Sequence, residues 1–392
     1  MTIPSASPVR FAFAGMMGLA AAMGIGRFVY TPILPGMMEA LHLSASDAGL
    51  IASANFIGYL AGAYLAAGGW AHGRERALML AGLAASAVLA AAMGLTGQLA
   101  AFLVIRFLAG VASAFVLVFL TAIVFDRLAA AGRTDLQALH FGGVGVGIAA
   151  SSLMMMLLVG RHADWQAGWF WSGGLSAVAF VLVAWMVDRG PRGGGEQARE
   201  PRLPKTPALG RMILAYGLFG FGYVVTATFL VAIVRESGAG RVFEATVWMV
   251  AGLIGLPSVW LWQAVASRTG LYGAYTAGCL VEALGVVASV ALGGAAGPLL
   301  AGALLGGTFI AITAIGLQAA RLLAPAAPRR VLALMTAAFG VGQIVGPIVA
   351  GFLAEWSGSF VAPSLLAALI LLASGLAAWD AGRRAREAGR PS

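Results

Sequence analysis

The sequence predicts an all-α membrane protein with twelve transmembrane helices in two pseudo-symmetric six-helix halves. Three observations carry that prediction. Of 392 residues, 60% are hydrophobic and 10% charged, against roughly 25% charged in an average globular chain. The apolar residues gather into twelve segments separated by polar stretches. Glycine and acidic landmarks recur at a nearly constant offset between the first six segments and the second six. This composition excludes a soluble two-domain enzyme. The net charge of +9 does not point to nucleic acid, which needs a basic face on a soluble domain. Cys279 is the single cysteine, which leaves no disulfide framework and no cysteine-based metal site. Neither a cofactor nor a metal is expected.

The first six segments run near 11–38, 46–70, 77–95, 99–125, 136–160 and 168–187. The second six run near 209–235, 243–265, 271–292, 298–320, 331–354 and 361–379. About 20 apolar residues cross a bilayer, and in lipid a helix satisfies its own backbone groups. No segment alternates as a β-barrel strand would. The first stretch is too long for a secretory signal core, and no small-residue cleavage site ends it.

Basic residues orient the spans. With the N-terminus cytoplasmic, nineteen basic residues, including Arg10, Arg74, Arg76, Arg127, Arg133, Lys205, Arg211, Arg268, Arg329, Arg330 and the tail Arg383-Arg384-Ala385-Arg386, face the cytoplasm. Only Arg161, Arg235 and Arg241 face outward, and Arg27 and Arg106 lie inside spans. Both termini are then cytoplasmic, and the expected location is the bacterial inner membrane. Residues 188–208 hold Pro191, Pro201, Pro204 and Pro207 and no aromatic residue; proline interrupts helices, so this reads as a cytoplasmic linker. It divides an N-terminal half, 1–187, from a C-terminal half, 209–392, that ends in the basic tail.

Gly24-Ile25-Gly26 and Val29 match Gly220-Phe221-Gly222 and Val225 at an offset of 196, as Gly110 matches Gly306. Gly143-Val144-Gly145 matches Gly340-Val341-Gly342, and Asp47 matches Glu244, at an offset of 197. A parallel duplication of this kind places a substrate path between the halves near the bilayer midplane.

The chain resembles the major facilitator superfamily over essentially its whole length. Arg106-x-x-x-Gly110-x-x-x-Ala114 is similar to that superfamily's span-four arginine motif. The run from Gly26-Arg27-Phe28-Val29-Tyr30 through Pro35 resembles the signature of its YbfB/YjiJ-like branch. So do Gly220-Phe221-Gly222-Tyr223 through Leu230, and Phe339 through Pro347. The resemblance implies transport and names no cargo. Two departures stand out. The loop Trp70-Ala71-His72-Gly73-Arg74-Glu75-Arg76 lacks the Asp that in the superfamily precedes a Gly-Arg pair and closes a cytoplasmic gate, and Ser267-Arg268-Thr269-Gly270 lacks it too. The Gly346-Pro347 element of span eleven has no counterpart in span five.

Each of Arg27 and Arg106 costs ~2.5–3.5 kcal/mol at a helix centre, so neither should face lipid. Counted at 1.5 Å per residue, both lie at similar depth in the outer half of the membrane. With no Asp or Glu within the first-half spans apart from Asp47 at the entry to the second, they form a site for an anion; the alternative is that each bonds backbone carbonyls freed by Pro32, Pro35 or the glycines. Tyr30, Asn55, Tyr59, Tyr223, Thr226 and Gln343 are candidate cavity residues, with Thr308 and Thr313 behind them; such residues also bind membrane helices together. His140 and Glu282 are candidate proton carriers, His140 lying near the cytoplasmic interface. Gly145-Val146-Gly147-Ile148-Ala149-Ala150 fits a dinucleotide fingerprint, but no strand precedes it, so close helix packing accounts for it. No ATP-binding Gly-x-x-x-x-Gly-Lys element occurs.

The expected function is secondary transport of a small organic solute, an anion, by alternating access with proton coupling. The expected partners are that solute, a proton and membrane lipid, without nucleic acid, and the expected state is a monomer. Two alternatives stay open: efflux of amphipathic drugs, and a ligand sensor that moves nothing.

Overall fold

The computed structural model describes residues 7–188, 200–236 and 238–389. Most of the proline-rich linker, with Arg189, Pro191, Arg192 and Arg199, lies outside the described residues, as does Arg390. All regular structure among the described residues is helical. The first span comprises α1 (Pro8–Leu19), a π-helical segment Ala20–Ile25, a turn, and α2 (Tyr30–Leu41). Five helices follow before the linker: α3 (Ala45–Ala66), α4 (Glu75–Met93), α5 (Leu99–Ala130), α6 (Gln137–Val159) and α7 (Trp165–Met186). After it come α8 (Pro207–Glu236), α9 (Arg241–Ala291), α10 (Ala296–Leu323), α11 (Pro328–Ser357) and α12 (Val361–Glu387).

Local chemistry sets several of these boundaries. Ser44 accepts from the Asp47 backbone N–H at 3.1 Å while Asp47 accepts from the Ser44 backbone N–H at 3.1 Å, a reciprocal cap that starts α3. Pro8 and Pro328 open α1 and α11 where their missing N–H has no helical partner to lose. Gly358, at φ 70°, ends α11. α12 runs eight residues beyond the expected 379, because Asp380 receives Arg383 at 3.2 Å and Arg384 at 2.8 Å and so holds the basic tail helical.

Eleven helical stretches are long and apolar enough to cross a membrane among the described residues, where twelve segments were expected. The difference lies in α9, whose 51 residues would extend about 76 Å at 1.5 Å per residue, more than twice a hydrocarbon core. Its helix is interrupted at Gly270, with φ 74° and ψ 165°, a conformation that only glycine adopts readily. α9 is therefore two rods, 241–269 and 271–291, meeting at a bend with no loop between them.

The first span was expected to be one helix, and it is not. Gly26 N–H donates to the Ala21 carbonyl, five residues back, and Thr31 N–H donates to Phe28 instead of Arg27. Pro32 has no N–H to offer Phe28. The carbonyls of Gly26 and Arg27 are thereby released from the helix.

Within the first segment, α5 packs on α3 and α4, α4 on α7, and α1 on α5, α6 and α7. Within the second, α8 packs on α11 and α12, and α9 on α10 and α12. Two long contacts, α6 along α9 and α3 along α11, join the segments. The apparent dinucleotide fingerprint is a packing strip. A Cβ on Gly147 would stand 2.2 Å from the Ala20 carbonyl oxygen, and one on Gly145 would stand 2.7 Å from that of Gly252. Repeat-related glycines also make repeat-related contacts: a Cβ on Gly110 would meet the Asn55 carbonyl at 2.0 Å, and one on Gly306 the Ala251 carbonyl at 2.1 Å, positions again 196 apart.

Ion pairs separate the two ends of the bundle. At the linker end, Arg127 pairs with Asp188 at 2.6 Å, Arg211 with Asp380 at 3.2 Å, and Glu200 accepts the N–H groups that open α11. Each of these stays within one segment. At the opposite end, Glu39 on α2 accepts from Arg235 and Arg241, both at 3.1 Å, across the contact between segments. Arg235 also grips Glu244 with two bonds of 2.8 and 2.6 Å.

Candidate functional site

The break in the first span sets Arg27 in a turn at the junction of the two segments, where it is 5% exposed. Its Nη2 donates to Gln343 Oε1 on α11 at 3.1 Å, and Gln343 Nε2 in turn donates to the Tyr223 hydroxyl on α8. The guanidinium carbon lies 4.3 Å from the centre of the Phe56 ring, 4.5 Å from Tyr59 and 5.9 Å from Phe28. Its Nε has no partner, and no carboxylate pairs with it among the described residues. A buried cation is thus held by π-faces and one amide rather than by a counter-ion.

Arg106, 2% exposed, is placed differently. Its Nη1 donates to the Gly26 carbonyl at 2.9 Å and its Nη2 to the Arg27 carbonyl at 3.2 Å, the two groups that the break releases. Tyr30 covers it at 5.1 Å. Arg106 therefore bonds backbone carbonyls, whereas Arg27 bonds a side-chain amide, and the Nε of each is unpartnered among the described residues.

Between them lies a small cavity lined by Arg27, Phe28, Tyr30, Thr31, Ala52, Phe56, Arg106, Val224, Ala227 and Thr228. Tyr30 reaches it, with its hydroxyl donating to the Ala48 carbonyl at 2.9 Å. Asn55 is fully buried and donates to the Arg106 carbonyl at 3.0 Å, so it ties α3 to α5. Thr226 is buried but does not line the cavity; Thr228, two positions on and on the opposite side of α8, does. Thr31 closes the near side, donating to the Ala227 carbonyl at 2.5 Å.

Behind Tyr223 stands a terrace of aromatic rings that the sequence did not disclose. Phe309 and Phe339 each lie within 11° of the Tyr223 plane, at 5.9 and 5.5 Å. Phe28 meets Phe309 edge-on at 5.7 Å, and Trp248, with an unpartnered indole N–H, lies 6.5 Å from Phe28. The available signal was Phe56, three residues before Tyr59 and so on its helix face. Thr313 serves α10 itself, its hydroxyl donating to the Phe309 carbonyl at 2.7 Å.

Glu282 is 1% exposed. Its Oε2 accepts from Thr308 at 2.9 Å while Oε1 has no partner. Thr308 directly precedes Phe309 of the terrace on α10. The structure does not bring His140 to the arginines. In the first turn of α6, it is fully buried among α1, α5 and α6, with Nε2 2.9 Å from the Thr121 hydroxyl and Nδ1 against Gly15. The glycine faces of these helices allow the close approach that encloses it. Among the described residues no group of three or more His, Cys, Asp and Glu side chains is placed to hold a metal ion.

Residues 19–379 match the family described as the uncharacterised MFS-type transporter YbfB. The uncharacterized MFS-type transporter YceJ of Bacillus subtilis (strain 168) is 26% identical over 382 residues, 90% of this chain and 91% of its own. The fold is similar to that of a mutant form of the nucleoside transporter NupG, with a TM-score of 0.74 at 16% identity, covering 95% of this chain and 99% of that one. It is likewise similar to a bacterial homolog of the human lysosomal transporter Spinster, in an inward-facing and occupied conformation, with a TM-score of 0.73 at 12% identity and 96% coverage of each chain. The chain therefore belongs to the YbfB-type family of MFS transporters and is a multi-pass membrane protein.

Proposed function

We propose that this chain is a twelve-span secondary transporter of the bacterial inner membrane that carries a small organic anion by alternating access. The two rods of α9 supply spans eight and nine, and both termini lie in the cytoplasm. The halves 1–187 and 209–392, joined by the linker 188–208, rock about the junction where Arg27 lies, and the chain works as a monomer. The observation that carries this reading is Arg27: a buried guanidinium with an unpartnered Nε and no carboxylate beside it, at a cavity between the halves. A charge in that position is costly unless something negative visits it. Tyr30, Tyr59, Tyr223 and Gln343 shape the site around the bound anion; Asn55 and Thr226 support it from their helices; Arg106 adds positive potential while holding the backbone open. Glu282 carries the coupling proton, with His140 as the second candidate.

The aromatic terrace favours a second reading, efflux of amphipathic compounds. One measurement separates the two: the thermal midpoint of the purified protein against small carboxylates and against amphipathic cations. A carboxylate at a hundred times its dissociation constant should add ~2.7 kcal/mol to the stability of the wild type and nothing to Arg27→Gln. Stabilisation by cations alone, or equal stabilisation of the variant, puts efflux first.

A further inference from the structure

We infer that the anion is a flat aromatic monocarboxylate, its carboxylate at Arg27 and its ring against the terrace of Tyr223, Phe309 and Phe28; this inference rests on the anion reading above. Charge sets the first limit. Of the two guanidinium groups at the cavity, Arg106 commits both terminal nitrogens to the Gly26 and Arg27 carbonyls, whereas Arg27 donates only from Nη2, to Gln343. Arg27 thus has donors to spare for one carboxylate. A second carboxylate would have to pair with Arg106, whose terminal nitrogens already hold the Gly26 and Arg27 carbonyls, and would be poorly satisfied in a buried site.

The second limit is shape. Rings cover the faces of the Arg27 guanidinium, with Phe56 at 4.3 Å and Tyr59 at 4.5 Å, while its Nε at the edge is unpartnered. Guanidinium groups bind carboxylates through that edge and stack through their faces. The cavity beside Arg27 is lined by Phe28, Tyr30 and Phe56, and Phe28 leads into the terrace through its edge contact with Phe309 at 5.7 Å; within the terrace Tyr223 is 11° from both Phe309 and Phe339. Their centroids, 5.5 to 5.9 Å from that of Tyr223, describe offset stacks, the arrangement that a further flat ring extends.

The third limit is the shortage of hydroxyl partners. The Tyr30 hydroxyl is spent on the Ala48 carbonyl and the Thr31 hydroxyl on Ala227, and the Tyr223 hydroxyl already accepts from Gln343, which leaves Thr228 as the other hydroxyl in the lining. A sugar or a ribose, with several hydroxyl groups, would leave most of them unpaired in this site, a penalty in a buried pocket. A benzoate-like molecule has no such groups to satisfy.

The test is a titration of the purified wild-type protein, following its thermal midpoint, with benzoate, phenylacetate, hexanoate, succinate, benzamide and uridine. Benzoate and phenylacetate are expected to bind roughly tenfold more tightly than hexanoate, and succinate, benzamide and uridine more weakly than either. Phe309→Leu and Phe339→Leu should weaken benzoate more than hexanoate. If hexanoate equals benzoate, the aromatic class is overturned while the anion reading stands. If benzamide or uridine equals benzoate, or no carboxylate stabilises the protein, both are overturned. The comparison of ligands on the wild type decides the matter even if a leucine variant fails to fold.

Discussion

Arg27 and Arg106 are the same residue type at similar depth, and the structure gives them opposite tasks. Their cost was legible in the sequence, since a guanidinium inside an apolar run needs a partner wherever it lies. Their division of labour was not, because it depends on two carbonyls that leave the helix only when the chain between Ala20 and Val29 departs from α geometry. The stability of the two variants should reflect this. Arg106→Gln leaves the Gly26 and Arg27 carbonyls without donors and should cost about 2–6 kcal/mol, at ~1–3 for each unsatisfied group, seen as a lower thermal midpoint in detergent. Arg27→Gln removes a buried charge that has no counter-ion and should leave that midpoint unchanged or raise it, while ending stabilisation by carboxylates. A large loss from Arg27→Gln would show that the arginine is scaffold. Glu282 is tested by separating two modes of transport in liposomes. Glu282→Gln should abolish accumulation driven by a pH gradient yet retain exchange of labelled for unlabelled solute, which needs no net proton movement. If the variant still accumulates solute, the coupling proton is carried elsewhere.

At the scale of elements, the membrane helices could be read from hydropathy because each is long and apolar. The hinge at Gly270 could not be distinguished from a loop, since Ser267-Arg268-Thr269-Gly270 looks like a loop in sequence and turns in a single residue in space. The break in the first span was missed for a related reason: Gly24, Gly26 and Pro32 are all tolerated in membrane helices, so their presence does not announce a departure from the helix. The glycine strip of α6 was legible as packing, and its energetic weight can be measured. At Gly147 a methyl group would stand 2.2 Å from the Ala20 carbonyl oxygen and 2.7 Å from the Gly24 Cα, both backbone atoms that cannot rotate away. Gly147→Ala should therefore force α6 off the first span and cost about 1–3 kcal/mol. At Gly174 on α7 nothing lies within 4 Å of the same methyl group, and Gly174→Ala should be neutral or stabilising by about 0.5–1 kcal/mol. Thermal midpoints of the pair, measured side by side, check the contrast. Equal effects would mean that the strip is not a tight contact.

For the molecule as a whole, the asymmetry between its ends is the feature that bears on transport. Among the described residues, every ion pair that joins 7–188 to 200–389 runs through Glu39, at the end opposite the linker. At the linker end the pairs stay within one segment, which fits the lack of an Asp before Gly73-Arg74. Charge thus bridges the two segments at one end, and the alternating access proposed above requires that this end open in turn. The Arg235–Glu244 pair lies on one side of the divide and is mostly buried, so it braces α8 against α9 without tying the halves. Glu39 is 60% exposed and meets Arg235 and Arg241 in solvent; exposed pairs contribute ~0.2–1 kcal/mol each. Losing both should therefore favour opening by about two- to thirtyfold, with little effect on stability. Glu244→Gln, which takes from Arg235 its buried partner and leaves it only the exposed Glu39, should lower the thermal midpoint instead. To read opening, Cys279→Ser supplies a cysteine-free background and Ile33→Cys a reporter in the cleft beside Arg235 and Glu244. A membrane-impermeant maleimide added from the Glu39 side should label Glu39→Gln several-fold faster than its parent, and raised salt should narrow the gap by screening the parent's pairs. Equal labelling at low salt would mean that the helix contacts α3–α11 and α6–α9 hold this end closed without help from charge.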